Sequence, residues 1–291
     1  MFPFLLTSGL TTGALYAMVA IGLVLVYRST GHINFSHGEL FMLGGFFAYS
    51  LIEYLAFPYV IALVIAVVLS FGLGVISDRL VYRPLIKAPA LTMVLATVGF
   101  SYLLKGIGRY FWGGKGEYLS IPAFIDPAPI FIYDIPILPQ QLIVLGAAIV
   151  FMLAFAIFFS RTQAGKIMQA TSENSSAAYL VGIRVENVYT WTWAIGAAVA
   201  GAAAVLMAPL TLISPDIGAG FLIKAFAATI LGGLGSMVGA VVGGLLVGLI
   251  EQFASGYIDS ALQEIAAFIV IMVVLVFRPS GLFGVYQQRK A

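Results

Sequence analysis

The sequence contains no cysteine, and charged residues make up only 9% of it. The absence of cysteine excludes disulfides, thiolate metal sites, iron–sulfur clusters and cysteine nucleophiles. Fourteen basic and 12 acidic residues cannot cover the surface of a soluble domain of 291 residues. The formal net charge of +2 is too small, and its basic residues are too scattered, for a nucleic-acid interface. We therefore expect neither a large cytosolic catalytic domain nor a nucleic-acid partner.

Apolar residues dominate the rest of the chain: hydrophobic types make up 62% of it, and the mean hydropathy is +1.07. A bilayer core of about 30 Å is crossed by about 20 mostly apolar residues in a helix, because lipid offers backbone groups no hydrogen-bond partners. The sequence therefore predicts an all-α polytopic membrane protein, folded as one transmembrane domain over residues 1–291. The predicted helices cover residues 3–27, 36–56, 59–77, 90–111, 139–160, 188–208, 218–233, 236–254 and 260–277.

These segments predict a bundle of eight or nine transmembrane helices, some of them broken or re-entrant. The count depends on residues 218–233, which are few, contain Lys224 and end in a glycine cluster. Such a segment is typical of a broken or re-entrant helix. The first apolar run lacks a basic n-region and is longer than the core of a signal peptide, so we expect it to be a retained span.

The positions of the basic residues predict the orientation, because lysine and arginine are retained on the cytoplasmic side of a membrane. With the N-terminus outside, ten of the 14 basic residues lie inside: Arg28, Arg79, Arg83, Lys87, Arg161, Lys166, Arg184, Arg278, Arg289 and Lys290. Residues 112–138 then form an external loop that is rich in proline. This loop is either a stiff segment that meets an external partner or an inert connector.

Residues 161–188 form a long polar segment that the same orientation places in the cytoplasm. The segment is too polar to lie in lipid and too long for a simple connection between neighbouring helices. Its core, residues 169–182, mixes alanine with polar residues, which favours an amphipathic helix on the cytoplasmic face. A short helix of this kind can dock onto a partner.

Several polar residues lie at the start of the second predicted span: His32, Asn34, Ser36, His37 and Glu39. An ionisable group at such a position is costly unless it is paired or faces a water-filled path, which makes Glu39 a candidate functional residue. The alternative is that these side chains line the cytoplasmic interface and cap the helix. The two histidines are five residues apart without an acidic cluster, so we predict no metal site.

Lys224 is the single charged residue in an apolar stretch, residues 221–230. An intramembrane cation can attract a carboxylate substrate, pair with Glu39 or Asp216, or extend its side chain to the outer interface. Glu251 and Glu264 flank the last external turn, and we expect both carboxylates to be in contact with water.

Glycines recur at four-residue intervals at Gly235, Gly239 and Gly243. Small residues at this interval let two helix backbones approach closely, and helix packing is therefore their predicted role. The sequence shows neither a catalytic triad nor a phosphate-binding loop. We expect a conduit or a scaffold that has no catalytic residues, needs no cofactor and has membrane lipid around it.

Three blocks of the sequence resemble LivH-type permeases, the integral membrane subunits of bacterial branched-chain amino acid ABC importers. The blocks are residues 9–27 running into 31–45, with an Asn-Phe-Ser-His-Gly-Glu core at 34–39, then residues 165–188, and then residues 220–248. An Arg-Pro-Ser-Gly-Leu-Phe-Gly ending at residues 278–284 extends the resemblance over nearly the whole chain.

The resemblance implies a permease of the bacterial cytoplasmic (inner) membrane with several partners. These are a second related permease, two cytosolic ATPase subunits and an extracytoplasmic amino-acid-binding protein. In ABC importers, a cytoplasmic coupling helix of the permease lies in a groove of the ATPase. Ala177, Ala178 and Gly182 match the Ala-Ala and Gly positions of the coupling pattern, whereas Ser176 stands at the position of its acidic residue.

The implied function is import of leucine, isoleucine, valine or related amino acids by alternating access. A zwitterionic substrate needs a few convergent polar groups, which we expect Asn34, Glu39 and Lys224 to supply, and apolar walls for its side chain. Two alternatives stay open. One is the same importer class with amide, urea or aromatic acid cargo. The other is a self-sufficient channel or secondary transporter with Glu39 as its ion site.

Overall fold

The computed structural model describes residues 1–86, 88–113, 118–123, 128–132 and 135–284, and most of these residues are helical. The α-helices of this described part are α1 (Phe2–Thr30), α2 (His37–Tyr49), α3 (Tyr59–Ser77), α4 (Ala90–Trp112), α5 (Pro139–Arg161), α6 (Gln163–Glu173), α7 (Ser175–Leu180), α8 (Val185–Met207), α9 (Ile217–Gly232), α10 (Met237–Tyr257) and α11 (Leu262–Phe277). Two short strands, β1 (Ile130–Ile132) and β2 (Ile135–Ile137), separate α4 from α5.

Six helical segments of the described chain are long and apolar enough to cross a membrane. They are α1, α3 with its extension to Leu85, α4, α5, α8 and α10. Helices α9 and α11 are apolar but have 16 residues each. The structure is thus a multi-pass helical membrane protein, and the predicted eight or nine crossings require the shorter helices to cross as well.

Helices α1 and α8 form the centre of the bundle, with α2 packed against α8 and α9. Residues 194–204 of α8 are almost all alanine and glycine, which lets three neighbouring helices approach its backbone closely. For example, a Cβ atom on Gly44 of α2 would lie 2.4 Å from the Cα of Gly201. The alanine-rich sequence of α8 therefore determines its central position.

Helices α3, α4, α5 and α11 surround this centre and expose large apolar side chains. Examples are Val68, Leu95, Leu153 and Phe277, which are 58–81% exposed. Lipid is the solvent that such faces require, since water contact with this much apolar surface is unfavourable.

The end of α3 is irregular and is fastened to the start of α8. The helix continues through a π-helical turn over Asp78–Tyr82 and a 3₁₀ turn over Arg83–Leu85. Thr190 of α8 donates a hydrogen bond of 2.7 Å to the Asp78 carboxylate and accepts one of 2.6 Å from the Arg83 guanidinium. These side-chain bonds join the two helices where backbone geometry departs from the regular α-helix.

The predicted external loop contains a small β-hairpin. Strands β1 and β2 pair antiparallel with Ile130 opposite Ile137. Leu119 and Ile213 also exchange two backbone hydrogen bonds of 2.8 Å, which attach the loop to the connection between α8 and α9. Residues 114–117, 124–127 and 133–134 of the predicted loop lie outside the described residues.

Candidate functional site

The chain between α1 and α2 returns into the bundle, so that α2 begins among the central helices. His37, the first residue of α2, is fully buried, and its Nε2 atom lies 3.2 Å from the Val19 carbonyl oxygen of α1. A Cβ atom on Gly22 would lie 2.7 Å from the same ring nitrogen. Gly22 precedes the end of α1 by about 12 Å along the helix axis. Helix α2 is therefore a broken helix whose N-terminus lies inside the protein.

Buried polar groups are concentrated at this N-terminus. The Asn34 side-chain oxygen accepts hydrogen bonds from the Ser36 amide (2.9 Å) and hydroxyl (2.7 Å), and the Ser36 hydroxyl is also 2.7 Å from the Tyr82 hydroxyl. Asn34 Nδ2, His37 Nδ1 and Glu39 Oε2 are buried without a hydrogen-bond partner among the described residues. Each such atom costs about 1–3 kcal/mol, so three within six residues indicate a functional segment.

Glu39 lies in the first turn of α2, is 5% exposed and faces a cavity of about 250 Å³ between α2, α4 and α9. The other residues around this cavity are Phe35, Val98, Ser101, Tyr102, Lys105, Ala219, Leu222 and Ile223. The cavity thus combines one acidic group and one basic group with walls that are mostly apolar. We refer to it below as the Glu39 cavity.

Lys105, which lines the Glu39 cavity, belongs to a cluster of three charged residues. Lys105 of α4 forms an ion pair with Asp216, the residue that precedes α9, and the Arg109 guanidinium lies 2.9 Å from the same carboxylate. The Lys105 ammonium, with a smaller contribution from Arg109, lowers the pKa of Asp216 below its ordinary value. Asp216 therefore stays ionised at neutral pH and holds the two basic side chains against α9.

A second pair of charges lies on the other side of α9. The Lys224 Nζ atom is 2.6 Å from Glu251 Oε1 of α10, and the Tyr16 ring of α1 lies 5.4 Å from the ammonium. Glu251 is 1% exposed. The prediction that Glu251 contacts water is therefore wrong, and Lys224 pairs with a carboxylate other than Glu39 or Asp216, the two partners considered from the sequence. A charge inside the bundle needs a charged partner, and the carboxylate on the neighbouring helix supplies it.

The structure does not bring the three predicted path residues together. Lys224 faces a different cleft, formed with residues 260–264, and the Asn34 side-chain oxygen is occupied by Ser36. Two charged roles were not predicted from the sequence, that of Lys105 at the Glu39 cavity and that of Glu251 as the partner of Lys224, although both residues lie within predicted spans. Their position in those spans was the available signal. Within the described residues, no group of three His, Asp or Glu side chains could hold a metal ion.

The predicted packing glycines occupy two different environments. A Cβ atom on Gly239 or Gly243 of α10 would lie 2.2 or 2.0 Å from backbone oxygens of α9. Gly235 precedes α10 with φ = +110°, and a Cβ atom there would meet open space. Gly235 thus differs from the prediction: a left-handed turn requires glycine at this position, and helix contact does not.

The polar segment 161–188 folds into α6 and α7 and then enters α8. The Thr162 side chain caps α6, and the Asn174 side chain caps α7 by accepting a hydrogen bond of 2.9 Å from the Ala177 amide. Ala178 is buried, whereas Ala177 and Gly182 are exposed. Tyr179, Leu180 and Val181 form an apolar tip that is 72–83% exposed, and we call these three residues the α7 tip.

Six span-length helices, a broken helix at the centre and charges around internal cavities define a multi-pass membrane protein of the transport type. The chain belongs to the family described as the permease component of the branched-chain amino acid transport system, whose model matches residues 5–277.

Several curated relatives match almost the full length of the chain. It is 33% identical to the high-affinity branched-chain amino acid transport system permease protein BraD of Pseudomonas aeruginosa, over 96% of this chain and 94% of the relative. It is 30% identical to the permease protein LivH of Escherichia coli K12, over 95% and 94%. Among solved structures, PsaBC from Streptococcus pneumoniae in complex with Fab has the same fold, with a TM-score of 0.52 and 15% identity over 95% of this chain and 92% of that chain.

Proposed function

We propose that this protein is the membrane subunit of an ATP-driven ABC importer that moves leucine, isoleucine, valine or related amino acids into the cytoplasm. The observation that carries the proposal is the family match over residues 5–277, together with 30–33% identity to permeases named for branched-chain amino acids. The ribose import permease RbsC of Escherichia coli K12 is a more distant relative, at 25% identity. Amino acids are therefore favoured over other cargo, and an importer subunit is favoured over a self-sufficient channel.

The proposed location is the bacterial cytoplasmic membrane, with the N-terminus outside. The orientation is supported by the distribution of basic residues along the chain. In this arrangement α9, α11 and the broken helix α2 cross in addition to the six span-length helices, which gives nine crossings, within the predicted eight or nine. Helix α2 spans the outer part only, because residues 31–36, which form bends and a turn, occupy the inner part next to α1.

The proposed assembly contains this permease, a second related permease, two cytosolic ATPase subunits and an extracytoplasmic binding protein. The α6–α7 segment is the proposed contact with an ATPase, and Ala177, Ala178 and Gly182 lie in or directly after α7. The exposed α7 tip supports this assignment, because three adjacent apolar side chains on a polar segment are suited to a protein groove. Ser176 leaves this α7 segment without the acidic residue of the coupling pattern.

The proposed mechanism is alternating access driven by movement of α6 and α7. Helix α8 follows these helices directly, and its Trp193 ring stacks on Tyr82 with the ring centres 3.9 Å apart. The Tyr82 hydroxyl in turn contacts Ser36 in the segment before α2. A shift of α8 is therefore passed through packed rings and a hydrogen bond to Asn34 and Glu39, which we assign to the substrate path.

The test is to purify the tagged permease gently from its native membrane and identify the proteins that stay bound by mass spectrometry. We expect two ATPases and a second permease. The recovered complex, reconstituted in vesicles with its binding protein and ATP, should accumulate labelled leucine, isoleucine or valine. Recovery of this chain alone in several copies would argue for a channel, and import of an amide or a sugar instead would remove the amino-acid assignment.

A further inference from the structure

We infer that the Glu39 cavity binds the amino acid during transport, with Glu39 facing the substrate ammonium, Lys105 facing its carboxylate and apolar residues around its side chain. This inference rests on the proposed function, because it specifies the substrate site of the same importer. It replaces Lys224 of the predicted site with Lys105.

The two charged groups of the cavity match the two charges of a free α-amino acid. The Glu39 side chain lines the cavity, and its Oε2 atom is buried without a hydrogen-bond partner among the described residues, so it is available to accept a bond from an ammonium. Lys105 faces the same cavity and forms its ion pair with Asp216, whose side chain is 59% exposed. Asp216 thus holds the Lys105 ammonium at the cavity edge, where an arriving carboxylate can share it.

The walls of the cavity suit an aliphatic side chain. Val98 of α4 and Leu222 and Ile223 of α9 line it, and Phe35 closes one end. Its volume of about 250 Å³ is slightly below the roughly 300–1,000 Å³ typical of drug-sized sites, so it suits a ligand as small as one amino acid. A longer or charged side chain would leave its polar end against these apolar walls, which is unfavourable.

The open side of the cavity also points to a water-filled path. Lys105, Arg109 and Asp216 lie close together beside Tyr102, which is 71% exposed. Three charges on one face are costly against hydrocarbon, and this face therefore belongs against a path shared with the second permease, not against lipid.

The cleft at Lys224 does not fit the same ligand. Its ammonium is already paired with the buried Glu251, and the ring of Tyr16 covers it. A substrate carboxylate would have to break a buried ion pair to bind there, and such a step leaves the buried Glu251 carboxylate without its cationic partner. The cleft therefore provides a control position for an experiment on the Glu39 cavity.

The natural absence of cysteine allows a direct test. Ser101 lines the Glu39 cavity, and Ser260 lines the Lys224 cleft. Ser101→Cys and Ser260→Cys each place a single thiol in the permease, within the complex purified with its ATPases. The rate of modification by a small methanethiosulfonate reagent is measured with and without millimolar leucine, and the permease band is then separated from its partners.

We expect leucine to slow modification of the Ser101→Cys thiol about tenfold or more, and to leave the Ser260→Cys thiol unaffected. The carboxylate analogue 4-methylpentanoate and the amine analogue isopentylamine, which each lack one charge, should protect much less. Adding Glu39→Gln or Lys105→Gln to Ser101→Cys should remove the protection, provided that the double variant is recovered with the ATPases. Two separate variants keep the test valid if one of them does not assemble.

The outcomes separate this inference from the proposed function. A wild-type complex that imports leucine, with no protection of the Ser101→Cys thiol, overturns the site and leaves the importer intact. Equal protection of both thiols also overturns the site, since the effect is then not local. A complete complex that imports no amino acid overturns the proposed function, and the site inference is lost with it.

Discussion

The Lys224 ammonium and the Glu251 carboxylate lie 2.6 Å apart and join α9 to α10 inside the bundle. Their side chains are 18% and 2% exposed, so each charge depends on the other for compensation. The same two helices are also in backbone contact at their glycines, which fixes the separation at which the ion pair forms. The pair is therefore a structural link, distinct from the charges around the Glu39 cavity.

Removing one charge of this pair is expected to destabilise the protein strongly. Lys224→Met or Glu251→Gln leaves the other group buried without its partner, which costs about 3–5 kcal/mol. The double variant Lys224→Met with Glu251→Leu should be less destabilised than either single variant. Thermal unfolding in detergent, monitored by size-exclusion chromatography, measures the order, and Glu173→Gln at the exposed end of α6 is the control. Equal stability of the wild type, the two single variants and the double variant would show that the pair contributes nothing to the free energy of unfolding.

The contact between α1 and α10 predicts opposite effects for one substitution at two glycines. A Cβ atom on Gly248 would lie 2.4 Å from the Cα of Gly13, so Gly248→Ala should destabilise the protein by about 1–3 kcal/mol. A Cβ atom on Gly146 of α5 would meet nothing within 4 Å, and Gly146→Ala should be neutral or stabilise the helix by up to about 1 kcal/mol. Melting temperatures of the two variants test this difference, and a loss at both sites would contradict it.

Helix positions could be predicted from the sequence because a long apolar segment in lipid must form a helix to satisfy its backbone hydrogen bonds. The segment predicted at residues 59–77 agrees with Tyr59–Ser77, and the one at 139–160 agrees with Pro139–Arg161 to within a residue. The break before α2 could not be predicted in detail. Polar residues such as Asn34 and Ser36 suit a helix cap at the surface equally well, and the sequence does not show that both are buried beside Tyr82.

The ion-pair partners of the buried charged residues could not be predicted from the sequence for a similar reason. Lys224 and Glu251 are 27 residues apart, and their meeting depends on the rotation of α9 and α10 about their axes. Apolar periodicity does not determine that rotation in a bundle where most faces are apolar. The turn at Gly235 and the contact of Gly239 with Gly232 determine it, and the sequence does not show which helix Gly239 contacts.

The junction of α3 and α8 predicts a specific role for the Thr190 hydroxyl. Thr190→Val keeps the side-chain shape, but it removes the donor to the buried Asp78 carboxylate and the acceptor for Arg83. We expect a loss of about 1–3 kcal/mol in the free energy of unfolding. Thr7→Val, at an exposed hydroxyl that bonds only the Phe4 carbonyl in the described structure, is the control with little effect. Similar melting temperatures for both variants would contradict the prediction.

The cluster at Asp216 predicts how the protein responds to acid. The pKa of Asp216 is lower in the folded protein than its ordinary value of 3.8. The ionised carboxylate therefore contributes fully to the free energy of unfolding above pH 3.8, and this contribution is lost as the pH falls through the lowered pKa of the folded protein. The melting-temperature difference between the wild type and Asp216→Asn should therefore be constant from about pH 7 to about pH 5 and shrink only below about pH 4. A difference that already disappears at pH 6 would show that Asp216 is not held by Lys105.

A substitution in the α7 tip should weaken the contact with the ATPase without affecting the folding of the permease. Leu180 is 83% exposed, so Leu180→Ala removes no internal contact and should leave the melting temperature of the isolated permease unchanged. If α7 enters a groove of the ATPase, the same change removes an apolar anchor, and both the ATPase recovered with the permease and the leucine uptake should fall by about tenfold. Ile167→Ala on α6 is the control, because that side chain is also apolar and 39% exposed but lies outside the tip. Normal ATPase recovery with Leu180→Ala would place the contact elsewhere on the permease, whereas a loss with both variants would place it across α6 as well as α7.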